Sequence, residues 1–279
     1  SGIKGAPVDF EVGAFATDRL RIDTPSKSTP KNVVKVVAEI IDHFSEHIGD
    51  GPIGITFPGP IVHGSIPFIA NLDKSWKGLE AEKFFADELG RPITMVNDAD
   101  AAGLAEVKFG AAADVDGLVI MATLGTGIGS ALIHNGALVP NTELGHLEID
   151  GHDAEKKAAS SAKEREGLSY GDWAVRLQRY FGVVEMLFSP DLFVVGGGVS
   201  KDHEKFMPKL TLRTPMVPAK LRNRAGIIGA AWLAVDRLEN PDVAPAIVEN
   251  FAGSAEAGED TAALGRLNEK GKDKKSKKK

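Results

Sequence analysis

Cysteine does not occur among the 279 residues. That excludes disulfides, a thiolate zinc site and a cysteine nucleophile. No apolar run exceeds strand length, so no segment reads as a membrane span. Neither an initiator Met nor a signal-peptide pattern opens the chain, which starts Ser1-Gly2-Ile3-Lys4-Gly5, and a cytoplasmic location is expected. An overall excess of positive charge is lacking too. The net charge is −6, and the last ten residues hold seven Lys against one Asp, which leaves −12 for the remainder. Such acidity argues against general nucleic-acid binding.

What is present is ordinary for a soluble globular protein: 43% hydrophobic and 26% charged residues, in a chain long enough for one or two domains. Strand and helix patterns alternate in two blocks, which predicts an α/β protein of two lobes with a cleft between them. Residues 1–98 are expected to form a small lobe completed by a helix at 225–239, and 99–224 a large lobe. The Ala-, Glu- and Gly-rich segment 240–279, ending in Lys, reads as a disordered tail. Strands are expected at 3–9 and 19–22, joined through Gly13, and at 53–57, 93–98, 118–123, 130–134, 137–139 and 192–195. Helical spacing covers 31–48, 79–89, 99–108, 154–166, 172–188 and 225–238, with 200–210 also read as helical. Asn135-Gly136 is a strong hairpin signal.

The chemistry-bearing stretch is Ile93-Thr94-Met95-Val96-Asn97-Asp98-Ala99-Asp100, where an apolar strand ends in Asn-Asp and a helix begins at once. Asp98 reads either as an N-cap, with Asn97 turning the chain, or as a carboxylate open to a cleft at a strand's carboxyl end. Three glycine-rich turns lie beside apolar strands: Gly2/Gly5, Gly125/Gly127/Gly129 and Gly196-Gly197-Gly198. Glycine lets backbone N–H groups approach phosphate oxygens, and the hydroxyl of Thr126 adds a donor. None matches the P-loop pattern. Lys4 reads either as a solvated surface lysine or as an ammonium placed to meet a phosphoryl group. Glu143-Leu144-Gly145-His146 keeps a carboxylate and an imidazole three apart, so both can face one polyhydroxylated ligand. His146 and His152 with nearby carboxylates form no recognised zinc spacing.

These motifs resemble the sugar kinases of the ROK family within the actin-like ATPase (ribonuclease H-like) superfamily, especially its actinobacterial branch of polyphosphate/ATP glucokinases. The resemblance covers about residues 1–238. It rests on Phe57-Pro58-Gly59-Pro60, Val96 to Asp100, Leu124 to Gly129, Glu143 to His146 and Val195 to Ser200, in that order. It implies an active site in the interlobe cleft and phosphoryl transfer to a glucose hydroxyl, with Asp98 as the catalytic base. Asn97, Glu143 and His146 would bind the sugar, with Glu155 as candidate for a further glutamate. Ser1, Gly2, Ile3, Lys4, Gly125, Thr126, Gly127, Gly197 and Gly198 would hold phosphate or nucleotide. Mg²⁺ with ATP or polyphosphate is the implied cofactor set, and a homodimer the implied assembly. Zinc is not expected, because the family's cysteine-rich loop has no cysteine here. The first phosphate motif would open before residue 1, so no direct side-chain metal ligand is expected within this chain. The family also contains sugar-sensing repressors with an N-terminal helix-turn-helix, and nothing basic and helical precedes residue 31.

Polyphosphate needs a positive track. Lys201, Lys205, Lys209 and Arg213 recur every four residues, and Lys220, Arg222 and Arg224 follow, seven cations against Asp202 and Glu204. The stretch reads either as a solvated helix face or as a guide for a polyanion.

Overall fold

The computed structural model describes residues 2–69 and 72–240. Strand β1 (Gly2–Gly5) pairs antiparallel with β4 (Leu20–Asp23), and between them β2 (Val8–Asp9) pairs with β3 (Ala14–Phe15). The expected strand at 3–9 is thus two strands, and Gly13 makes the inner turn at φ +61°. Helix α1 (Pro30–His43) starts on Thr29, whose hydroxyl accepts the Asn32 N–H, with Pro30 pre-set for the first turn. The expected helix to residue 48 breaks at Phe44, and one turn, α2 (Ser45–Ile48), completes it.

Strand β5 (Ile53–Phe57) lies parallel to β6 (Ile93–Asn97), with Ile53 opposite Ile93 and Phe57 opposite Asn97. Helix α3 (Ala81–Leu89) connects them and stops at Gly90, whose φ of +66° suits glycine. Strand β6 runs without a gap into α4 (Asp98–Phe109).

Next come β7 (Leu118–Leu124), β8 (Ile128–His134) and β9 (Ala137–Val139), an antiparallel run, and then a small hairpin of β10 (Glu148–Ile149) and β11 (His152–Asp153). Two short helices, α5 (Glu155–Ala158) and α6 (Ser160–Arg165), stand where one was expected at 154–166. Ala159 is extended between them (ψ 155°), a break that no Gly or Pro announces. Helix α7 (Tyr170–Phe188) leads to β12 (Leu192–Gly196), which pairs parallel with β7. Residues 198–205 and 207–209 are 3₁₀ turns rather than an α-helix. Strand β13 (Met216–Pro218), which alternation did not reveal, then joins β12. The sheet order is β13-β12-β7-β8-β9, and α8 (Ala225–Glu239) follows.

Alternation along β7 and β12 explains why both faces of this sheet are covered. Ile120, Ala122, Leu124, Phe193 and Val195 pack with Trp173, Leu177 and Phe181 of α7. Val119, Met121 and Val194 join Ala105 of α4 and Ile228 of α8 on the other side. A third core of Val34, Phe57, Phe85 and Met95 is built within residues 30–95. Two glycines let α8 approach closely. A Cβ at Gly229 would run into the Ala101 carbonyl of α4, and one at Gly54 into the Ala230 carbonyl. Gly229→Ala is therefore expected to lower the stability by about 1–3 kcal/mol, the usual cost of overpacking. A urea midpoint shift at constant slope would read it.

Candidate active site

The β6–α4 junction is held by Asn97. Its Oδ1 accepts the N–H groups of Ala99 (2.8 Å) and Asp100 (3.2 Å), closing the first turn of α4. Its Nδ2 donates to the Gly59 carbonyl at 3.2 Å. The cap is thus Asn97, not Asp98, which frees the Asp98 carboxylate. Asn97 is buried with both oxygen lone pairs engaged, so one amide N–H remains for a ligand. Asp98 is exposed to solvent, although protein packs around its carboxyl. Burial raises its carboxyl above the ordinary Asp value, while the N–H groups of Ala99 and Asp98 itself pull the other way.

Glu143 stands before a 3₁₀ turn (Leu144–His146). Buried Ser130 pins its neighbours: the hydroxyl donates to the Thr142 carbonyl (2.7 Å) and accepts the Leu144 N–H (2.9 Å). Burial raises the Glu143 carboxyl; His146 opposes this, and Asp98 and Glu155 add to it as like charges. These four residues therefore share one electrostatic neighbourhood. His146 itself is exposed. Glu155 Oε2 accepts the Ile128 N–H at 3.1 Å and lies against Gly127, where a Cβ would strike it. One Glu155 oxygen is thus committed to the glycine turn.

That turn, residues 125–127, joins β7 to β8, and the Gly125 N–H donates to the Gly127 carbonyl (3.0 Å). Gly197, at φ +85°, packs on the Leu124 backbone so closely that no side chain would fit. The two glycine segments accordingly lie together at the carboxyl ends of parallel strands β7 and β12, where open α/β sheets bind ligands. Beside them is a cavity of about 400 Å³ lined by Gly125, Thr126, Gly198, Lys163, Tyr170 and Lys201, among others. The sequence reading missed Ser161, Lys163 and Tyr170. The break at Ala159 turns α6 back, so that Ser161 donates to the carbonyls of Gly125 (3.0 Å) and Thr126 (2.6 Å). Ala99, next to Asp98, touches Gly129 from the other side: a Cβ there would meet the Ala99 Cβ at 2.9 Å.

Gly2, Ile3 and Lys4 lie on β1, with Lys4 exposed opposite Arg21. Ser1 lies outside the described residues, as does the tail from 241. The cationic stretch is not one helical stripe, because 3₁₀ turns and β13 interrupt it. Lys205 pairs with Asp202 (2.7 Å) and Arg213 with Glu185 (3.4 Å). Lys201 lines the cavity, while Lys209, Lys220, Arg222 and Arg224 are exposed. No cluster of three or more His, Cys, Asp or Glu able to hold a metal occurs among the described residues. No helix there is long and apolar enough to cross a membrane.

A carboxylate at a strand–helix junction beside paired glycine turns, at the carboxyl ends of parallel strands, suits an α/β protein that handles phosphate. The ROK family pattern matches residues 8–167. A polyphosphate glucokinase from Mycobacterium tuberculosis (strain ATCC 25618 / H37Rv) is 49% identical over 236 residues, covering 84% of this chain and 88% of that protein. The crystal structure of inorganic polyphosphate/ATP-glucomannokinase from Arthrobacter sp. strain KM is 53% identical. It aligns with a TM-score of 0.78 over 84% of this chain and 94% of that one. A ROK family glucokinase from Streptomyces griseus, solved with glucose and AMPPNP, shares the fold at 21% identity, with a TM-score of 0.67 over 85% of this chain and 100% of that one. The chain belongs to the ROK family and has its actin-like ATPase fold.

Ser130→Ala would leave the Thr142 carbonyl and the Leu144 N–H without their partner. A stability loss of about 1–3 kcal/mol is expected for such buried groups, read by thermal or urea unfolding.

Proposed function

We propose that the protein is a glucokinase that transfers a phosphoryl group from inorganic polyphosphate or ATP to the 6-hydroxyl of glucose. The observation that carries this is the position of Asp98, released from capping by Asn97 and set beside Glu143 and the glycine turns. The polyphosphate glucokinase and the polyphosphate/ATP-glucomannokinase support the donor and acceptor classes.

In this reading the Asp98 carboxylate accepts the hydroxyl proton as the oxygen attacks the terminal phosphorus, while the bond from that phosphorus to its bridging oxygen breaks and ADP or the shortened polyphosphate leaves. Burial raises the proton affinity of that carboxylate, which suits a general base. The remaining Asn97 N–H, Glu143, His146 and the free Glu155 oxygen hydrogen-bond the sugar. Backbone N–H groups at Gly125, Thr126, Gly127, Gly197 and Gly198 hold donor phosphates, with Ser1, Gly2, Ile3 and Lys4 assigned to the same task. The transition state of phosphoryl transfer is loose, so catalysis is mainly positioning and charge balance. Mg²⁺ carried on donor phosphates and water would neutralise phosphoryl charge, with no side-chain cage required of this chain. Lobes at 1–98 with 225–239 and at 99–224, a cytoplasmic site of action and a homodimer, read by light scattering, belong to the same proposal. The cations from Lys201 to Arg224 are assigned to guiding polyphosphate.

Asp98→Asn in the full-length protein should retain glucose binding and lose more than about 100-fold in kcat, as expected for removal of a general base. An unchanged kcat would remove Asp98 from that role. Because Asp98 acts ionised, wild-type kcat/KM should fall as the pH drops through a value above 3.8 and recover above it. The residual activity of Asp98→Asn should lack that limb. If the cationic stretch guides the polyanion, KM for polyphosphate rises steeply with salt and KM for ATP rises less. Equal responses would contradict the track.

A further inference from the structure

Asp100 sits in the first turn of α4, 1% exposed, and the scheme above gives it no task. Its Oδ2 accepts the backbone N–H of Asn141 at 2.7 Å, and its Oδ1 has no hydrogen-bond partner. A buried carboxyl left half-satisfied is costly to keep. What it holds is informative. Asn141, at φ +60°, turns its side chain onto Ile61 as a neighbouring strand would. Asn141 Oδ1 accepts the Ile61 N–H and its Nδ2 donates to the Ile61 carbonyl, both at 2.8 Å. Ile61 ends the Pro58-Gly59-Pro60 loop after β5, and Asn97 already holds Gly59. That loop is therefore fixed at two points by the β6–α4 junction, once directly and once through Asn141. Beyond Asn141, Ser130 pins Thr142 and Leu144, so Glu143 lies in a turn anchored on both sides.

We propose that Asp100 is a positioning residue for the sugar: through Asn141 it sets the Gly59–Ile61 loop and the Glu143 turn relative to Asp98. The substrate in this proposal rests on the sugar-kinase reading above. Burial, with Glu143 and Asp98 adding like charge, pushes the Asp100 carboxyl up to about 7. A protonated carboxyl keeps the acceptor oxygen that Asn141 needs and places no second negative charge beside the base. Asparagine has the same shape and offers the same acceptor. The tether therefore requires the acceptor geometry, not the charge.

The test compares Asp100→Asn, Asp100→Ala, Asn141→Ala and the double alanine variant in the full-length protein. Asp100→Asn should keep glucose KM within about twofold, whereas either alanine variant should raise it about tenfold or more, with kcat changing less, as expected when a buried partner is lost. The double variant should be no worse than the worse single one, because both changes cut one chain of contacts. Glucose KM unchanged in Asp100→Ala, with only the melting temperature lowered, would overturn the proposal, as would additive effects. Hydrogen exchange without ligand reads the tether apart from the reaction. Faster exchange at the Ile61 and Asn141 amides in Asp100→Ala supports it, and unchanged exchange overturns it. Failure of the sugar-kinase reading shows separately, as wild-type protein that does not phosphorylate glucose.

Discussion

The candidate site depends on one side chain more than any other. Asn97 closes the N-terminus of α4 with its oxygen and reaches the loop after β5 with its amide. Because Asn97 takes the capping work, Asp98 is spared it and faces outward at the positive end of a 12-residue helix. A carboxylate there meets two opposed influences, burial that favours the neutral form and helix N–H groups that favour the charged one. The net effect is a carboxylate more basic than an ordinary aspartate, which is what proton abstraction from a hydroxyl asks for.

The same economy recurs around the site. Ser130, Asp100 and Glu155 are polar groups that each hydrogen-bond backbone atoms of the segments carrying Glu143 and the glycine turn. In each case a polar group with limited access to water finds its partner in a loop, so satisfying the group fixes the loop. Packing supplies the frame beneath. The five-stranded sheet is apolar on both faces, and close backbone approach at Gly54 and Gly229 brings α8 against β5 and α4.

Much of this was legible in the sequence where periodicity and turn chemistry agree. The strands at Ile53–Phe57 and Ile93–Asn97, though not their pairing, the Asn135-Gly136 hairpin, the Gly90 stop and the long helix ending at Phe188 all follow from local pattern. What pattern could not supply was the direction of breaks that carry no marker residue. Ala159 divides a charged helical stretch without Gly or Pro, and that break brings Ser161 and Lys163 to the glycine turn. The 3₁₀ turns at 198–209 likewise dissolve a stripe that spacing alone assigned to one helix face. Cap identity was a further miss. Asn and Asp are near-equal caps, and only the hydrogen bonds decide that Asn97 serves and Asp98 does not. The contacts of Asp100 and Asn141 were invisible for a related reason, since Asp100 meets Asn141 across 41 residues and Asn141 meets Ile61 across 80.

Kinship explains why the motif order was informative: 49% identity over 236 residues to a polyphosphate glucokinase leaves little room for a different framework around Asp98. The reaction itself is tested most directly by following glucose 6-phosphate formation by the full-length protein with Mg²⁺ and inorganic polyphosphate as sole donor, with ATP in a parallel assay. Turnover with polyphosphate is the predicted result. Turnover with ATP alone would contradict the donor assignment, and glucose binding without turnover on either donor would contradict the enzyme.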